Sequence, residues 1–250
     1  MHGFPTCSYD YRHVLDDLAV HRRVLVLDLL GFGLSEKPNV RYSIGLHADI
    51  VQGFVEQAGV SRLALLTHDM GDTVGGELLA RQHEGQWAVE ITRRALTNGS
   101  IYIEMAHLTA GQELLLSLPD RSAEAPPDEN LLRASLAETM APASGAARAD
   151  LSGDAALVCH RAGNAMLPRT IRYIEDRRAF QARYTGAIER HPSPLTIIWG
   201  TEDPIAVVEM AERLSEARPD APLCRLPRVG HYPMLEAPGE LLAALEAALS

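Results

Sequence analysis

Three residues of this sequence have the types and the chain order that covalent hydrolysis requires: Asp69, Asp203 and His231. Asp69 stands in the stretch LLTHDMGDTVGG, between an apolar run and a helical pattern, where a sharp turn is expected. A carboxylate at such a turn can act as a nucleophile, and a histidine oriented by a second acid can activate water. Each residue also has a simpler explanation, because Asp69 and Asp203 fit helix N-caps and His231 fits a surface or packing histidine.

The elements that must position these residues are strands that alternate with helices. Apolar runs at residues 24–27, 63–66 and 195–199 lack polar alternation, which is typical of strands buried on both faces of a parallel sheet. Weaker strand patterns occupy residues 95–97 and 223–226, and helical spacing is found at about residues 46–58, 71–84, 205–217 and 238–249. This alternation predicts an α/β fold, a mostly parallel sheet with helices on both faces.

Residues 101–190 interrupt this rhythm with an Ala/Pro/Ser-rich stretch and a final amphipathic pattern, TIRYIEDRRAFQARYTGAI. We expect residues 101–190 to form an inserted helical lid, or cap, and residues 1–100 and 191–250 to form the core. A disordered linker between two domains is the alternative, although few residues follow position 195 for an independent core.

The composition argues against several classes of function. The chain has 250 residues, 46% of them hydrophobic, which suffices for one large core. A net charge of −10 disfavours nucleic-acid and anionic-membrane partners, because both favour a basic patch. Cys7, Cys159 and Cys224 show no paired spacing, so neither a disulfide nor a metal site is expected. Because the sequence shows neither a signal peptide nor a long apolar span, we expect a soluble, cytoplasmic protein. We also expect that it needs no cofactor.

Several segments resemble the α/β-hydrolase superfamily. HGFP at residues 2–5 resembles its oxyanion loop, and DLLGFGLSEKP at residues 28–38 resembles its glycine-rich loop. WGTEDP at residues 199–204 and VGHYPMLEAP at residues 229–238 complete the superfamily's order of nucleophile, acid and histidine. With THDMGD, ALTNG and RYIEDRRAFQARYTGAI, the chain resembles the aspartate-nucleophile branch of epoxide hydrolases and haloalkane dehalogenases, and within it the mesoderm-specific transcript proteins.

This resemblance implies a role for each candidate residue. Asp69 would attack a saturated carbon and form an alkyl ester, and His231, oriented by Asp203, would activate the water that hydrolyses the ester. The backbone N–H groups of Phe4 and Met70 would form the oxyanion hole. The expected reaction is the opening of an epoxide to a diol, with a small apolar substrate and water as the only partners.

The leaving group separates the possible reactions. In epoxide hydrolases, lid tyrosines donate a proton to the opened epoxide, and the resemblance places Tyr173 at one such position. Tyr102 and Tyr184 are weaker matches for its partner. Haloalkane dehalogenation is the alternative, but the positions that carry halide-binding side chains in those enzymes are Phe4 and Met70 here, which have no side-chain N–H.

Other charged residues near these motifs are expected to have supporting roles. His68 and Asp72 flank the nucleophile, and an acid in the first helical turn complements the helix dipole. The arginines of the last lid pattern are expected to form a solvated helix face: Arg169, Arg172, Arg177, Arg178 and Arg183.

The start of the chain raises a further expectation. In the superfamily one strand leads into the histidine–glycine pair found here at His2 and Gly3, and two more precede it, whereas this sequence has only Met1 there. The resemblance implies that the family's N-terminal strands are missing, with unpaired backbone groups beside the nucleophile strand. We therefore expect weak stability or poor activity, and we keep a catalytically silent, ligand-binding protein as a third hypothesis. Substrate identity and oligomeric state stay open.

Overall fold

One parallel sheet organises the protein, whose computed structural model describes residues 1–142 and 150–249. Its strands are β1 (Arg62–His68), β2 (Glu90–Thr97), β3 (Leu195–Gly200) and β4 (Leu223–Leu226), in that spatial order. All three neighbouring pairs are parallel, with Leu66 opposite Ala95 and Leu96 opposite Ile197. The strands therefore end at one edge of the sheet, where ligands bind in open α/β sheets.

The two faces of the sheet enter different hydrophobic cores. Leu96 and Ile197 pack in one core with Val74, whereas their neighbours Ala95 and Ile198 pack in the other with Leu245. Successive strand residues point to opposite faces, so a strand that is covered on both sides is apolar at every position. This explains why the predicted strands show no polar alternation.

Helices cover both faces, which confirms the predicted α/β architecture. Those outside the connection from β2 to β3 are α1 (Leu15–Ala19), α2 (Ile44–Gln57), α3 (Met70–His83), α9 (Val208–Ala217), α10 (Pro233–Glu236) and α11 (Pro238–Leu249). The four helices predicted from sequence correspond to α2, α3, α9 and α11. Short 3-10 helices occupy Ser8–His13, Ile103–Met105 and His160–Ala162.

Within the described residues, the connection from β2 to β3 carries five α-helices. They are α4 (Ala110–Ser117), α5 (Glu129–Ala137), α6 (Ser152–Cys159), α7 (Gly163–Thr170) and α8 (Tyr173–Arg190). Helix α8 packs along α3, and α5 packs on α6. Part of the predicted Ala/Pro/Ser-rich stretch, residues 143–149, lies outside the described residues, and the division into core and lid stays a prediction. Over the described ranges, no helix combines the length and the apolar character that crossing a bilayer requires.

The strand predicted at residues 24–27 is wrong. A strand needs a neighbour for its N–H and C=O groups, and within the described chain these residues pair with no strand. The backbone of Met1 lies beside β1 instead: its amino group donates to the Leu66 carbonyl, and the N–H of His68 donates to the Met1 carbonyl at 3.1 Å. Residues 1–61 contain no strand, and the expected loss of stability stays a prediction.

Candidate active site

Asp69 occupies a strained turn between β1 and α3. Its φ of 48° and ψ of −114° are conformations that a residue with a side chain rarely adopts. Its side chain makes no helix-capping hydrogen bond, and Oδ2 instead accepts the N–H of Phe4 at 2.9 Å. The turn therefore directs the buried carboxylate towards the loop at residues 2–5 rather than into the start of the helix.

Two glycines allow this loop to approach the nucleophile turn. A Cβ on Gly3 would lie 2.5 Å from Asp69 Cβ and 2.7 Å from its Oδ2. A Cβ on Gly71 would lie 2.7 Å from the carbonyl oxygen of Met1. Both distances are too short for a side chain, so the close contact between loop and turn requires glycine on each side.

His231 and Asp203 form a buried pair beside this turn. Nδ1 of His231 lies 2.8 Å from Oδ2 of Asp203, and the other carboxylate oxygen accepts the N–H groups of Ile205 and Ala206 at 2.8 Å and 3.0 Å. Burial lowers the pKa of His231, but the charge and hydrogen bond of Asp203 and the charge of Asp69 outweigh it and raise this pKa to about 9. Asp203 is thus fixed as the partner of Nδ1, which leaves Nε2 for proton transfer.

Asn98 is a residue of the candidate site that the sequence did not lead us to expect. It follows β2 with a φ of 45°, its amide nitrogen donates to Oδ2 of Asp203 at 2.8 Å, and its amide oxygen accepts the N–H of Gly200 at 2.9 Å. The available signal was the segment ALTNG, in which an asparagine, a residue that tolerates positive φ, directly follows a strand. Asn98 fixes the acid that orients the histidine.

The two predicted oxyanion donors lie on either side of Asp69. The N–H of Phe4 already contacts the carboxylate. Met70 is the first residue of α3, so its N–H has no acceptor within the helix. Their role towards a reaction intermediate stays a prediction.

The chain as a whole has counterparts among known proteins. A sequence model described as the alpha/beta hydrolase family matches residues 1–245. The chain belongs to the alpha/beta hydrolase family. It is therefore a hydrolase by family and by fold.

Individual relatives agree with this membership. LipZ of Mycobacterium tuberculosis is 35% identical over 251 residues, which cover 100% of this chain and 86% of LipZ. The mesoderm-specific transcript protein of Mus musculus is 32% identical over 98% of this chain and 76% of its own length, which confirms the resemblance seen in the sequence. Haloalkane dehalogenase 2 of Mycobacterium tuberculosis is 28% identical over 98% of this chain and 84% of its own length. A solved alpha/beta hydrolase fold protein from Burkholderia ambifaria superposes with a TM-score of 0.76 at 26% identity, covering 98% of this chain and 87% of that one.

Of the three candidate tyrosines of this alpha/beta hydrolase, the structure brings only Tyr173 to the nucleophile. Its ring centroid lies 5.8 Å from that of Phe4. Burial raises the pKa of Tyr173, and the charge of Asp69 raises it further, while that of Arg177 lowers it. Its hydroxyl makes no hydrogen bond with the described residues and is free to donate to a ligand.

The other two tyrosines correct the sequence prediction. The Tyr102 hydroxyl donates to Oε1 of Glu189 at 2.7 Å, and the Arg213 guanidinium stacks 3.9 Å from its ring centroid. The ring of Tyr184 packs against Phe180, an exposed residue of α8. The Tyr102 hydroxyl is therefore occupied by Glu189, and Tyr184 has its ring contact with Phe180 rather than with Phe4 or Tyr173, so neither matches the second donor that the resemblance implies.

The predicted solvated arginine face is also wrong in part. Arg178 is exposed and Arg183 half-buried, but three of the five arginines are buried: Arg169, Arg172 and Arg177. Arg177 lies on α8, which packs along α3, and a long cationic side chain that is buried by such packing needs acceptors inside the protein. Arg169, for example, pairs with Asp120 at 3.0 Å.

His68 and Asp72 flank the nucleophile turn as expected, and burial disfavours the charged form of each. Burial lowers the pKa of His68 well below its ordinary value, and its ring centroid lies 5.0 Å from that of His231. Burial raises the pKa of Asp72 well above its ordinary value, which weakens the predicted interaction of an ionised Asp72 with the helix dipole.

The three candidate catalytic residues are buried: Asp69 is 4% exposed, Asp203 5% and His231 2%. Within the described residues, no group of three or more His, Cys, Asp or Glu side chains could hold a metal ion.

Proposed function

We propose that this alpha/beta hydrolase opens small apolar epoxides to diols through an ester on Asp69, under a lid formed by residues 101–190. One observation carries the proposal: a carboxylate occupies the strained elbow, is not used as a helix cap, and is held by the Phe4 N–H beside His231. A carboxylate can displace a leaving group from saturated carbon without a base to activate it.

The first step would form the ester. Oδ2 of Asp69 is held by Phe4, whereas Oδ1 accepts no hydrogen bond from the described residues and is the oxygen available for attack. A bond forms between Oδ1 and an epoxide carbon, the opposite carbon–oxygen bond of that carbon breaks, and the released oxygen takes the Tyr173 proton. Tyr173 is suited to this because its hydroxyl is unpaired and lies near the nucleophile.

The second step would hydrolyse the ester. His231 first gives its proton to the Tyr173 phenolate. It then takes a proton from water through Nε2, and the resulting hydroxide attacks the carbonyl carbon of the ester on Asp69. The N–H groups of Phe4 and Met70 stabilise the oxyanion, a type of donor whose loss costs about 3–4 kcal/mol. Breakdown of this intermediate releases the diol and restores the carboxylate, and His231 is again protonated, as in the resting protein.

The test is a single turnover in ¹⁸O-labelled water with a panel of epoxides. The water oxygen should first enter Asp69, so its peptide gains one ¹⁸O, and His231→Gln should accumulate the alkyl ester because the base is missing. Tyr173→Phe should slow ester formation by about 10²–10⁴-fold. Asp16→Asn, at an exposed acid, is the control. Turnover that persists in Asp69→Ala would exclude Asp69 as the nucleophile.

Dehalogenation is the second candidate, because haloalkane dehalogenase 2 is among the relatives. A leaving halide needs N–H donors. The chain has two tryptophans. The indole N–H of Trp199 donates to the Ala206 carbonyl at 2.8 Å and is therefore not available to a halide. Halide release from bromo- and chloroalkanes, measured beside epoxide turnover, separates the two reactions. Stabilisation by an epoxide or diol without any turnover would instead favour the silent binding protein.

A further inference from the structure

Arg177 is a buried cation next to the proposed reaction centre. It is 2% exposed and lies one helical turn after Tyr173 on α8. Its Nε donates to Oγ1 of Thr73 at 2.8 Å, and Nη2 lies 3.4 Å from the Asp69 carbonyl oxygen. Its guanidinium carbon lies 5.0 Å from the centroid of the Tyr173 ring. Arg177 thus touches both the nucleophile turn and the proposed proton donor.

The surroundings of Arg177 differ from those of the other arginines of this helix region. Arg169 and Arg183 pair with Asp120 and Glu77, whereas no carboxylate within the described ranges pairs with Arg177. Its Nη1 also makes no hydrogen bond with the described residues. Asp72 feels the charge of Arg177 without forming an ion pair with it. Burying a guanidinium that forms no ion pair is costly, so a mere packing role is a poor explanation for this residue.

We infer that Arg177 is the positioning residue that replaces the second tyrosine, holding the Tyr173 ring and strengthening its hydroxyl as the proton donor to the opening epoxide. This inference rests on the proposed function. The Tyr173 ring contacts both the Phe4 ring, at 5.8 Å between centroids, and the Arg177 guanidinium, 5.0 Å from the ring centroid. The Tyr102 hydroxyl is bonded to Glu189 and the Tyr184 ring packs on Phe180, so a cation beside a single tyrosine supplies the electrophilic assistance that a second tyrosine would give.

The charges that face Tyr173 support this role. Burial raises the pKa of Tyr173, the Asp69 carboxylate raises it further, and Arg177 lowers it. As Asp69 bonds to the epoxide carbon it loses its negative charge, so the opposing effect of the carboxylate disappears during the step. Arg177 then acts on Tyr173 alone, and the hydroxyl becomes more acidic as the alkoxide develops.

The test compares Arg177→Met with Arg178→Met, which removes the neighbouring exposed arginine of the same helix. Single-turnover kinetics should show ester formation slowed about tenfold in Arg177→Met, with ester hydrolysis unchanged, because only the first step uses Tyr173. In a Tyr173→Phe background the same substitution should have no further effect on ester formation. Arg177→Lys, which keeps the charge, should recover part of the rate, and Arg178→Met should match the wild type.

A second readout does not depend on turnover. The ¹³Cζ chemical shift of Tyr173, assigned by its loss in Tyr173→Phe, should change in Arg177→Met and not in Arg178→Met, because the cation polarises the ring. The inference would be overturned if the Tyr173 ¹³Cζ shift did not change in Arg177→Met. It would also be overturned if Arg177→Met slowed ester formation and ester hydrolysis equally, whether Tyr173 is present or replaced by phenylalanine. If no epoxide reacts with the wild type while the shift still responds, the proposed function fails and the pairing of Arg177 with Tyr173 stands.

Discussion

The His231–Asp203 pair makes a quantitative prediction about stability and pH. The pKa of His231 is about 9 in the folded protein, whereas the ordinary histidine value, which applies to the unfolded chain, is 6.5. A group whose pKa is raised on folding stabilises the fold fully below its unfolded pKa, and this contribution is lost as pH rises through the folded pKa. The difference of about 2.5 between the two pKa values corresponds to about 3 kcal/mol of unfolding free energy.

The perturbation is His231→Gln, studied by urea unfolding from about pH 6 to about pH 10. The excess stability of the wild type over the variant should fall by about 3 kcal/mol across this range, chiefly between about pH 6.5 and about pH 9. Subtracting the variant removes the contributions of groups common to both proteins. Asp203→Asn should abolish most of the effect, because it removes the charge that raises the histidine pKa, and His83→Gln, at an exposed histidine of α3, controls for loss of an imidazole.

A wild-type excess that stays constant over this range would refute the reasoning. It would mean that the carboxylates of Asp203 and Asp69 do not hold the proton on His231, and that the buried pair is neutral. The same result would also contradict the inference that the negative charge of Asp69 helps His231 to keep its proton.

Three further predictions concern the site. Asn98→Ala removes a donor to Asp203 and the acceptor of the Gly200 N–H, so the unfolding free energy measured in urea should fall by about 3–6 kcal/mol. Asn130→Ala, at an exposed asparagine, is the control, and a fall no larger than that of the control would contradict the prediction. Gly3→Ala should lower turnover by about a hundredfold, because the added Cβ displaces Asp69. Gly53→Ala is the control, since a Cβ there meets nothing within 4 Å, and equal turnover rates in the two variants would refute the close approach of Gly3 to Asp69. Tyr102→Phe should leave ester formation unchanged, because the hydroxyl is bonded to Glu189; a slowed first step would restore Tyr102 as a donor.

The fold was largely predictable because its signals are local. Continuous apolar runs identify β1 and β3 as strands covered on both faces, and helical periodicity identifies α2 and α11 within a few residues. The run at residues 24–27 has the same local pattern but forms no strand. Pairing with a neighbour decides this, and no window of a single sequence contains that information.

The position of a candidate residue was predictable where the local pattern decides it, as at Asp69, which directly follows β1. Asn98 was missed because its role depends on Asp203, which is distant in sequence and joins it only where β2 and β3 end side by side. Arg177 was assigned to a solvated face because its neighbours in sequence are charged, whereas its burial depends on α3 packing against α8. The orientations of Tyr102 and Tyr184 depend on tertiary partners in the same way.

The carboxylate of Asp69 also sets the order of events in the proposed reaction. While it is ionised it helps His231 to retain a proton near neutral pH, so the imidazole cannot yet remove one from water. Alkylation turns Asp69 into an uncharged ester and withdraws that help, and the imidazole gives up its proton more readily. The ester intermediate thereby favours the basic form of the histidine that hydrolyses it, while Asp203 keeps its own effect on the imidazole.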